Sequence, residues 1–352
     1  MSSKIAHSPD GKPNDDKVYV VLLNYRGWRD TLECLESVLK LSHANMQILV
    51  VDNDSCDDSV DRIIAWAAGT QQSDVENLAL APMSRPACRK PISLVILSPG
   101  ESIPAGEAPA QIVLIRSDNN DGYAAGNNLG IALARADPDC AFIWLLNNDT
   151  VVATDALSQL LIVMHSDPLL GICGSTLVHY HNPATVQALG GARFNRWLAT
   201  SYHVGEGQLY STEHGQSRSV RIDYVVGASM FVSRAFVEHA GPMYEGYFLY
   251  FEEIDWSMRR GPYGIGYAPL SVVFHKEGGS TGMSKRQVQF GVGGDFYMHR
   301  NRLVFTRRNF PLALPIVVAR LCGVFLKSVL AGRRGRVAMF LRPDFWFGSG
   351  KV

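Results

Sequence analysis

The chain of 352 residues is 47% hydrophobic and 19% charged, an ordinary globular composition that can bury one large core or two modest ones. Its six cysteines (Cys34, Cys56, Cys88, Cys140, Cys173 and Cys322) lie far apart with no Cys-x-x-Cys pair. That spacing argues against a disulfide framework or a zinc site and suits reduced, cytosolic thiols. The formal net charge of zero hides a segregation, because the stretch from Phe296 to Pro343 holds ten Lys and Arg and no Asp or Glu. The rest of the chain is therefore net acidic, and the basic end points to an anionic partner, either a membrane surface or a phosphorylated substrate.

In chain order, residues 1–17 form a polar tail with no apolar h-region, so no secretory signal is expected. Val18 to Asn24 reads as a first strand, closed by Asn24-Tyr25-Arg26-Gly27. A helix follows from about Trp28 to Leu41, with Leu32, Leu35, Val38 and Leu39 on one face. Ile48 to Val51 is a second strand ending in Asp52, and Asp57 or Ser59 opens a short helix carrying Val60, Ile63, Ile64 and Ala67. Strand, helix, strand, helix at this spacing predicts βαβ units and a parallel sheet. Residues 69–110 break the rhythm and read as an irregular insertion with one strand-like run, Leu94 to Leu97. Ile112 to Ile115 resumes the sheet, and the Gly/Asn-rich turn around Asn119 to Asn128 opens a helix through Ala136.

The central stretch is Phe142-Ile143-Trp144-Leu145-Leu146-Asn147-Asn148-Asp149-Thr150. A near-continuous apolar run predicts a strand buried on both faces. It ends in three polar side chains at the carboxyl end of the strand, where open α/β sheets bind ligands. A carboxylate beside amide oxygens suits a hard divalent cation such as Mg²⁺ or Mn²⁺, and turn-forming Asn and Asp are the alternative reading. Thr154-Asp155 then caps a helix from Ala156 to His165. Ile172 to Val178 and Tyr224 to Val232 read as strands, separated by a polar stretch at 179–222. The aromatic run Tyr247 to Phe251 leads into an acidic helix start, Ile265 to Phe274 is a strand ending at His275, and Glu277 to Gly282 is a Gly-rich loop. From Asn309 to Ala331 the chain is strongly apolar but carries Arg320 and Lys327 on one helical face. A spanning helix would hold both charges near its middle at about 2.5–3.5 kcal/mol each. An interfacial amphipathic helix followed by Arg333, Arg334 and Arg336 fits better, and a helix packed on the domain is the other reading.

Four strand-end features carry candidate chemistry. Asp52 is placed to accept from a ring N–H of a uracil or thymine base, or to close a capping turn. Gly126 and Asn127 lie where a helix begins, which favours phosphate, although Gly122, Gly126 and Gly130 do not form Gly-x-Gly-x-x-Gly. Glu252, Glu253 and Asp255 crowd three carboxylates into four positions. Helical spacing puts Glu252 and Asp255 on one face and lets Glu253 project into a cleft. Repulsion and partial burial there would raise one carboxyl pKa toward that of a general base. His275 becomes a metal ligand if it lies across a cleft from Asp149.

Taken together, VVLLNYRGW, ILVVDN, NDGYAAGNN, WLLNNDT, VVGASMFVSR, FLYFEEIDWSMR and FHKEGGSTG followed by HRN resemble family 2 glycosyltransferases, in particular their rhamnosyltransferase-like bacterial branch. The resemblance implies an α/β GT-A fold, a Rossmann-like, mostly parallel sheet flanked by helices, to which the apolar and basic residues after it add a C-terminal helical, membrane-associating extension. It places the glycosyltransferase domain at 18–300, with a nucleotide-binding half at 18–150 and an acceptor-binding half at 151–300. The basic extension follows at 301–352. It implies that Asn24 and Asp52 hold the nucleoside and that Gly126 and Asn127 lie along the donor. Asn147-Asn148-Asp149 stands where the family has DxD, so Asp149 and His275 would be metal ligands. Glu253 would be the catalytic base, with Glu252 and Asp255 supporting it or contacting acceptor hydroxyls.

Two departures stand out: Asn147 replaces the first Asp of DxD, and Glu253 stands where many relatives have Asp. The expected activity is inverting transfer of a sugar, first L-rhamnose, from a dTDP- or UDP-sugar to a polysaccharide or polyprenyl-diphosphate-linked acceptor. The expected location is the cytoplasmic face of the membrane, peripherally bound, with no nucleic-acid partner. A sugar nucleotidyltransferase would need a Gly-rich loop with Lys or Arg after the first strand, which Asn24 to Trp28 hardly offers. A catalytically silent carbohydrate-binding protein would tolerate Glu253→Gln.

Overall fold

A computed structural model describes residues 15–103, 110–211, 220–277 and 292–347. The elements run β1 (Lys17–Asn24), α1 (Trp28–Val38), β2 (Met46–Asp52), α2 (Ser59–Ala68), a one-turn α3 (Ala81–Ser84), β3 (Leu94–Leu97) and β4 (Ile112–Arg116). They continue with α4 (Tyr123–Ala136), β5 (Cys140–Asn147), β6 (Thr150–Val152), α5 (Ala156–Ser166), β7 (Leu170–His179) and β8 (Val186–Leu189). Then come β9 (Ala192–Asn195), β10 (Thr200–His203), β11 (Ser229–Ser233), α6 (Arg234–Ala240), α7 (Glu252–Met258) and β12 (Gly264–His275). Four helices close the chain: α8 (Val292–Asn309), α9 (Leu314–Leu330), α10 (Arg334–Phe340) and α11 (Pro343–Phe347).

One sheet of ten strands has the order β3-β4-β2-β1-β5-β11-β7-β12-β6, with β8 beside β7. β3, β4, β2, β1 and β5 are mutually parallel. β11 slots antiparallel between β5 and β7, and β12 runs parallel to β7. Alternation along β1 sends Val18, Val20 and Leu22 to one face and Tyr19 and Val21 to the other. The first face packs α1, α2 and α5, and the second packs α4, α6 and Trp256 of α7. Burial on both faces is why the strands are continuously apolar. A third core joins α8 to α11, where Leu303, Val317, Leu321, Phe340 and Phe345 meet Phe248, Leu249 and Tyr250.

Several expectations change in detail. The strand expected over Tyr224 to Val232 is only Ser229–Ser233, because Tyr224 turns aside to bridge Ala192 of β9. α1 stops at Val38, short of Leu41. Asp155 occupies the N-cap of α5 without making a side-chain capping bond. The polar stretch 179–222 contributes β8, β9 and β10. Within the 69–110 insertion, β3 forms the sheet edge, and Asn77 donates its backbone N–H to the Tyr180 hydroxyl at 2.9 Å. The tail 1–14 and the Gly-rich loop beyond Glu277, residues 278–282, lie outside the described residues.

Candidate active site

Parallel strands carry their carboxyl ends to one rim. Asn24, Asp52, Asn147 and His275 are the last residues of β1, β2, β5 and β12, and Thr150 opens β6 at the same edge. Register sets Asn24 beside Asp52, Leu23 beside Asn147, and His275 beside Thr150. The residues predicted from strand ends therefore do converge.

Asp149, in the turn between β5 and β6, meets His275 at the end of β12 directly rather than across a cleft. His275 Nε2 lies 3.2 Å from Asp149 Oδ1, and both side chains are buried. His275 Nδ1 lies 3.0 Å from Gln187 Oε1. Burial pushes the imidazole pKa down, and the Asp149 carboxylate more than reverses that, so His275 sits above its ordinary value. With Nδ1–H held on Gln187, a cation that displaces the Nε2 proton would find the nitrogen's lone pair on the Asp149 side. One carboxylate oxygen and one imidazole nitrogen suit Mn²⁺ or Mg²⁺, with remaining positions left for phosphate oxygens and water. Among the described residues, no third His, Cys, Asp or Glu joins them into a cage. The donor set therefore fits a cation shared with a diphosphate rather than a closed structural site.

The ends of β1 and β2 are held by an inner network. Asn24, wholly buried, donates from Nδ2 to Asp52 Oδ1 at 2.6 Å, and Asp52 Oδ2 accepts the Ser55 N–H at 3.0 Å. Thr31 donates its hydroxyl to Asn24 Oδ1 at 2.9 Å, and Asn148 Nδ2 donates to that hydroxyl at 2.9 Å. Asn24, Asp52 and Asn148 are thus engaged within the protein, joining α1 to the ends of β1, β2 and β5, while Asn147 stays half-buried at the rim. Gly126 has a packing reason, since a Cβ there would sit 2.3 Å from Leu23 Cδ1. Asn127 donates from Nδ2 to the Tyr123 carbonyl at 2.9 Å, which braces the first turn of α4.

The three carboxylates of α7 separate differently from the helical-face expectation. Asp255 is buried and fully engaged: Tyr247 OH and Asn309 Nδ2 donate to Oδ1 at 3.1 and 3.0 Å, and Arg259 Nε donates to Oδ2 at 2.9 Å. It ties α7 to α8 and to the aromatic run rather than sharing a charge with Glu252. Glu252 instead couples to Glu253. Burial first, and then the neighbouring charge, push Glu252 well above the ordinary carboxyl range. Its Oε2 is buried without a hydrogen-bond partner among the described residues. Glu253 is half-buried, and desolvation raises its pKa to about 7. Two neighbouring carboxyls raised in this way resist ionising together, so the pair readily gives up only its first proton.

Tyr123, at the start of α4, joins the two halves. Burial raises its phenol pKa, and the charges of Glu253, Glu252 and Asp149 all add to the rise. Its hydroxyl donates to the Gly227 carbonyl at 2.9 Å. Gln187 carries no motif and escapes sequence reading, and Tyr123 lies inside NDGYAAGNN without a role that the motif itself discloses. Arg300 and Asn301 lie in the HRN triplet, but their task appears only in three dimensions. Asn301 Nδ2 lies 2.8, 2.7 and 3.1 Å from the carbonyls of Tyr247, Leu249 and Tyr250, the segment that delivers Glu252 and Glu253.

The profile of the family described as glycosyl transferase family 2 matches residues 104–231, which include Asp149 but neither Glu253 nor His275. Among solved structures, the chain is similar to GalNAc-T7 with UDP, GalNAc and Mn²⁺, at a TM-score of 0.51 and 14% identity over 75% of this chain and 44% of that one. It therefore spans less than half of that protein. It is also similar to the mannosyltransferase PcManGT from Pyrobaculum calidifontis in complex with GDP-Man and Mn²⁺, at a TM-score of 0.50 and 13% identity over 98% of this chain and 85% of that one. These likenesses are of fold, and the fold is GT-A. No curated protein sequence matches the chain.

Proposed function

We propose that the protein is a metal-dependent, inverting glycosyltransferase that moves a sugar from a nucleoside diphosphate to an acceptor hydroxyl. The first donor to consider is dTDP-L-rhamnose, then UDP sugars. The acceptor would be a polysaccharide or a polyprenyl-diphosphate-linked oligosaccharide. One observation carries the reading: Asp149, in contact with buried His275, and the half-buried Glu253 carboxyl both lie near enough to the Tyr123 phenol for their charges to raise its pKa. The likeness in fold to transferases solved with nucleotides and Mn²⁺ supports it.

Asp149 and His275 would hold the divalent cation, whose chemistry is to offset the negative charge of the leaving diphosphate. Asp52, fixed by Asn24, would meet the base or ribose. Glu253 accepts the proton of the acceptor hydroxyl. The freed oxygen bonds to the anomeric carbon as the bond to the diphosphate oxygen breaks, and the diphosphate leaves with that electron pair. Attack opposite the leaving group inverts the carbon, as in inverting hydrolysis with a sugar hydroxyl in place of water. Because the two neighbouring carboxyls resist ionising together, the pair offers one base rather than two repelling carboxylates.

The test is a panel of nucleotide sugars incubated with the full chain and Mn²⁺. Thermal stabilisation and release of nucleoside diphosphate are read together. The expected result is a response to one donor that chelation abolishes. No stabilisation and no turnover with any dTDP-, UDP- or GDP-sugar overturns the proposal.

A further inference from the structure

The closing helix α9 presents two opposite stripes. Val317 and Leu321 are wholly buried and, with Ser328, face the third core. On the other side Leu312, Ile316, Ala319, Gly323, Leu326 and Leu330 recur every three or four residues, from the preceding turn to the last residue of α9. That spacing places them on one helical face. Leu312 is 84% exposed, Leu326 58% and Leu330 80%, an unusual outlay of large apolar side chains on a soluble surface. Arg320 and Lys327 each stand four residues after a member of the stripe and are exposed. They therefore border the apolar face, where long cationic side chains lay their stems on it and extend their charges outward. Arg333 and Arg334 follow at once and are also exposed.

We infer that this face docks on an anionic membrane surface, with α9 lying in the plane of the interface. The charge argues for lipid rather than for a second copy, because Phe296 to Pro343 carries ten cationic and no acidic residues, so two such faces would repel. The packed stripe argues against spanning, since a helix crossing the bilayer would have to withdraw Val317 and Leu321 from the core they complete. That same core holds Phe248, Leu249 and Tyr250, immediately before Glu252 and Glu253. Docking would bring the carboxylate pair close to the lipid surface, which suits an acceptor carried on lipid. This last consequence rests on the proposed transfer reaction, whereas the docking itself does not.

Flotation of the full chain with vesicles tests it, using phosphatidylcholine alone and phosphatidylcholine mixed with phosphatidylglycerol. We expect binding to the anionic vesicles, weakened by salt and absent on the neutral ones. Two paired variants address the two components: Leu326→Glu with Leu330→Glu for the stripe, and Arg333→Glu with Arg334→Glu for the charge. Each pair should lower the bound fraction at least about tenfold without shifting the melting temperature, since all four residues are exposed. Failure of the native chain to float, or binding unaffected by both pairs, overturns the inference. So do resistance to alkaline carbonate, which marks a spanning helix, and a concentration-dependent dimer that the leucine pair dissolves without any vesicle binding. Vesicle binding is read without turnover, so an inactive chain that still floats would count against the proposed reaction alone.

Discussion

Glu253 occupies surroundings that penalise the charge its proposed role requires. Its folded pKa of about 7 lies above the ordinary 4.5. The folded chain therefore binds more protons than the unfolded one between those values, and the stability contributed by the neutral form is lost as pH rises through 7. Glu253→Gln should lower turnover by about 10²–10⁴-fold, the usual worth of a general base. The same change should raise the melting temperature above pH 7 and leave it nearly unchanged at the acidic end. Native turnover should rise with pH through the same region. Paired melts and rates on either side of neutrality check this, and a variant that loses activity and stability together would mark Glu253 as structural. At the proposed metal pair, Gln187→Leu should weaken Mn²⁺ binding by about 10–100-fold while leaving turnover at saturating Mn²⁺ largely intact, because Gln187 holds the far nitrogen of His275. A Mn²⁺ titration of nucleotide-dependent stabilisation reads this directly. Asp149 and His275 were legible because strand ends are where such chemistry gathers. Gln187 was not, since only the β7–β8 pairing brings it to His275.

Among elements, the segment that delivers the two glutamates is the most strained. Phe248, Tyr250 and Phe251 all have positive φ, at 68°, 70° and 81°, a backbone region that bulky side chains rarely adopt. Such strain persists only where the surroundings over-determine it. Here Asn301 gathers three carbonyls, Arg300 donates to the Gly246 carbonyl at 3.1 Å, and Tyr123 N–H donates to the Phe248 carbonyl at 2.7 Å. Gly122 permits the last contact, because a Cβ there would fall 2.2 Å from the Phe248 oxygen. Asn301→Leu leaves buried carbonyls without a donor, at about 1–3 kcal/mol each, and frees the segment to relax. We expect a lower urea midpoint, together with a fall in turnover that exceeds any change in donor binding. Equal losses in both kinetic constants would instead indicate general unfolding. The aromatic run and the HRN triplet were both visible in the sequence. Their union was not, because α8 returns from some fifty residues away to make it.

At the scale of the whole molecule, the parallel half was readable because each βαβ unit repeats one local rhythm. The second half was not, because β11 enters between β5 and β7 only after the 179–222 excursion, and no local pattern specifies that insertion. The join between halves rests on a residue the sequence did not single out. Lys276, next after His275, is buried, and its Nζ lies 2.7 Å from Asp30 and 2.8 Å from Glu33, both on α1. Tyr180 also donates its hydroxyl to Glu33 at 2.7 Å. The last strand of the sheet is thereby fastened to its first helix, and the backbone N–H of Lys276 donates to the Asp149 carbonyl at 2.9 Å. A buried pair is costly to break from one side, because the partner's charge is left uncompensated. Lys276→Met should therefore cost about 3–5 kcal/mol in chemical denaturation, the penalty of a buried carboxylate stripped of its cation. Adding Glu33→Gln to that variant should recover part of the loss, whereas Glu33→Gln alone should destabilise. If the two losses simply add, Lys276 does not hold the rim together through Glu33, and the alignment of Asp149 with His275 must come from the β6–β12 pairing alone.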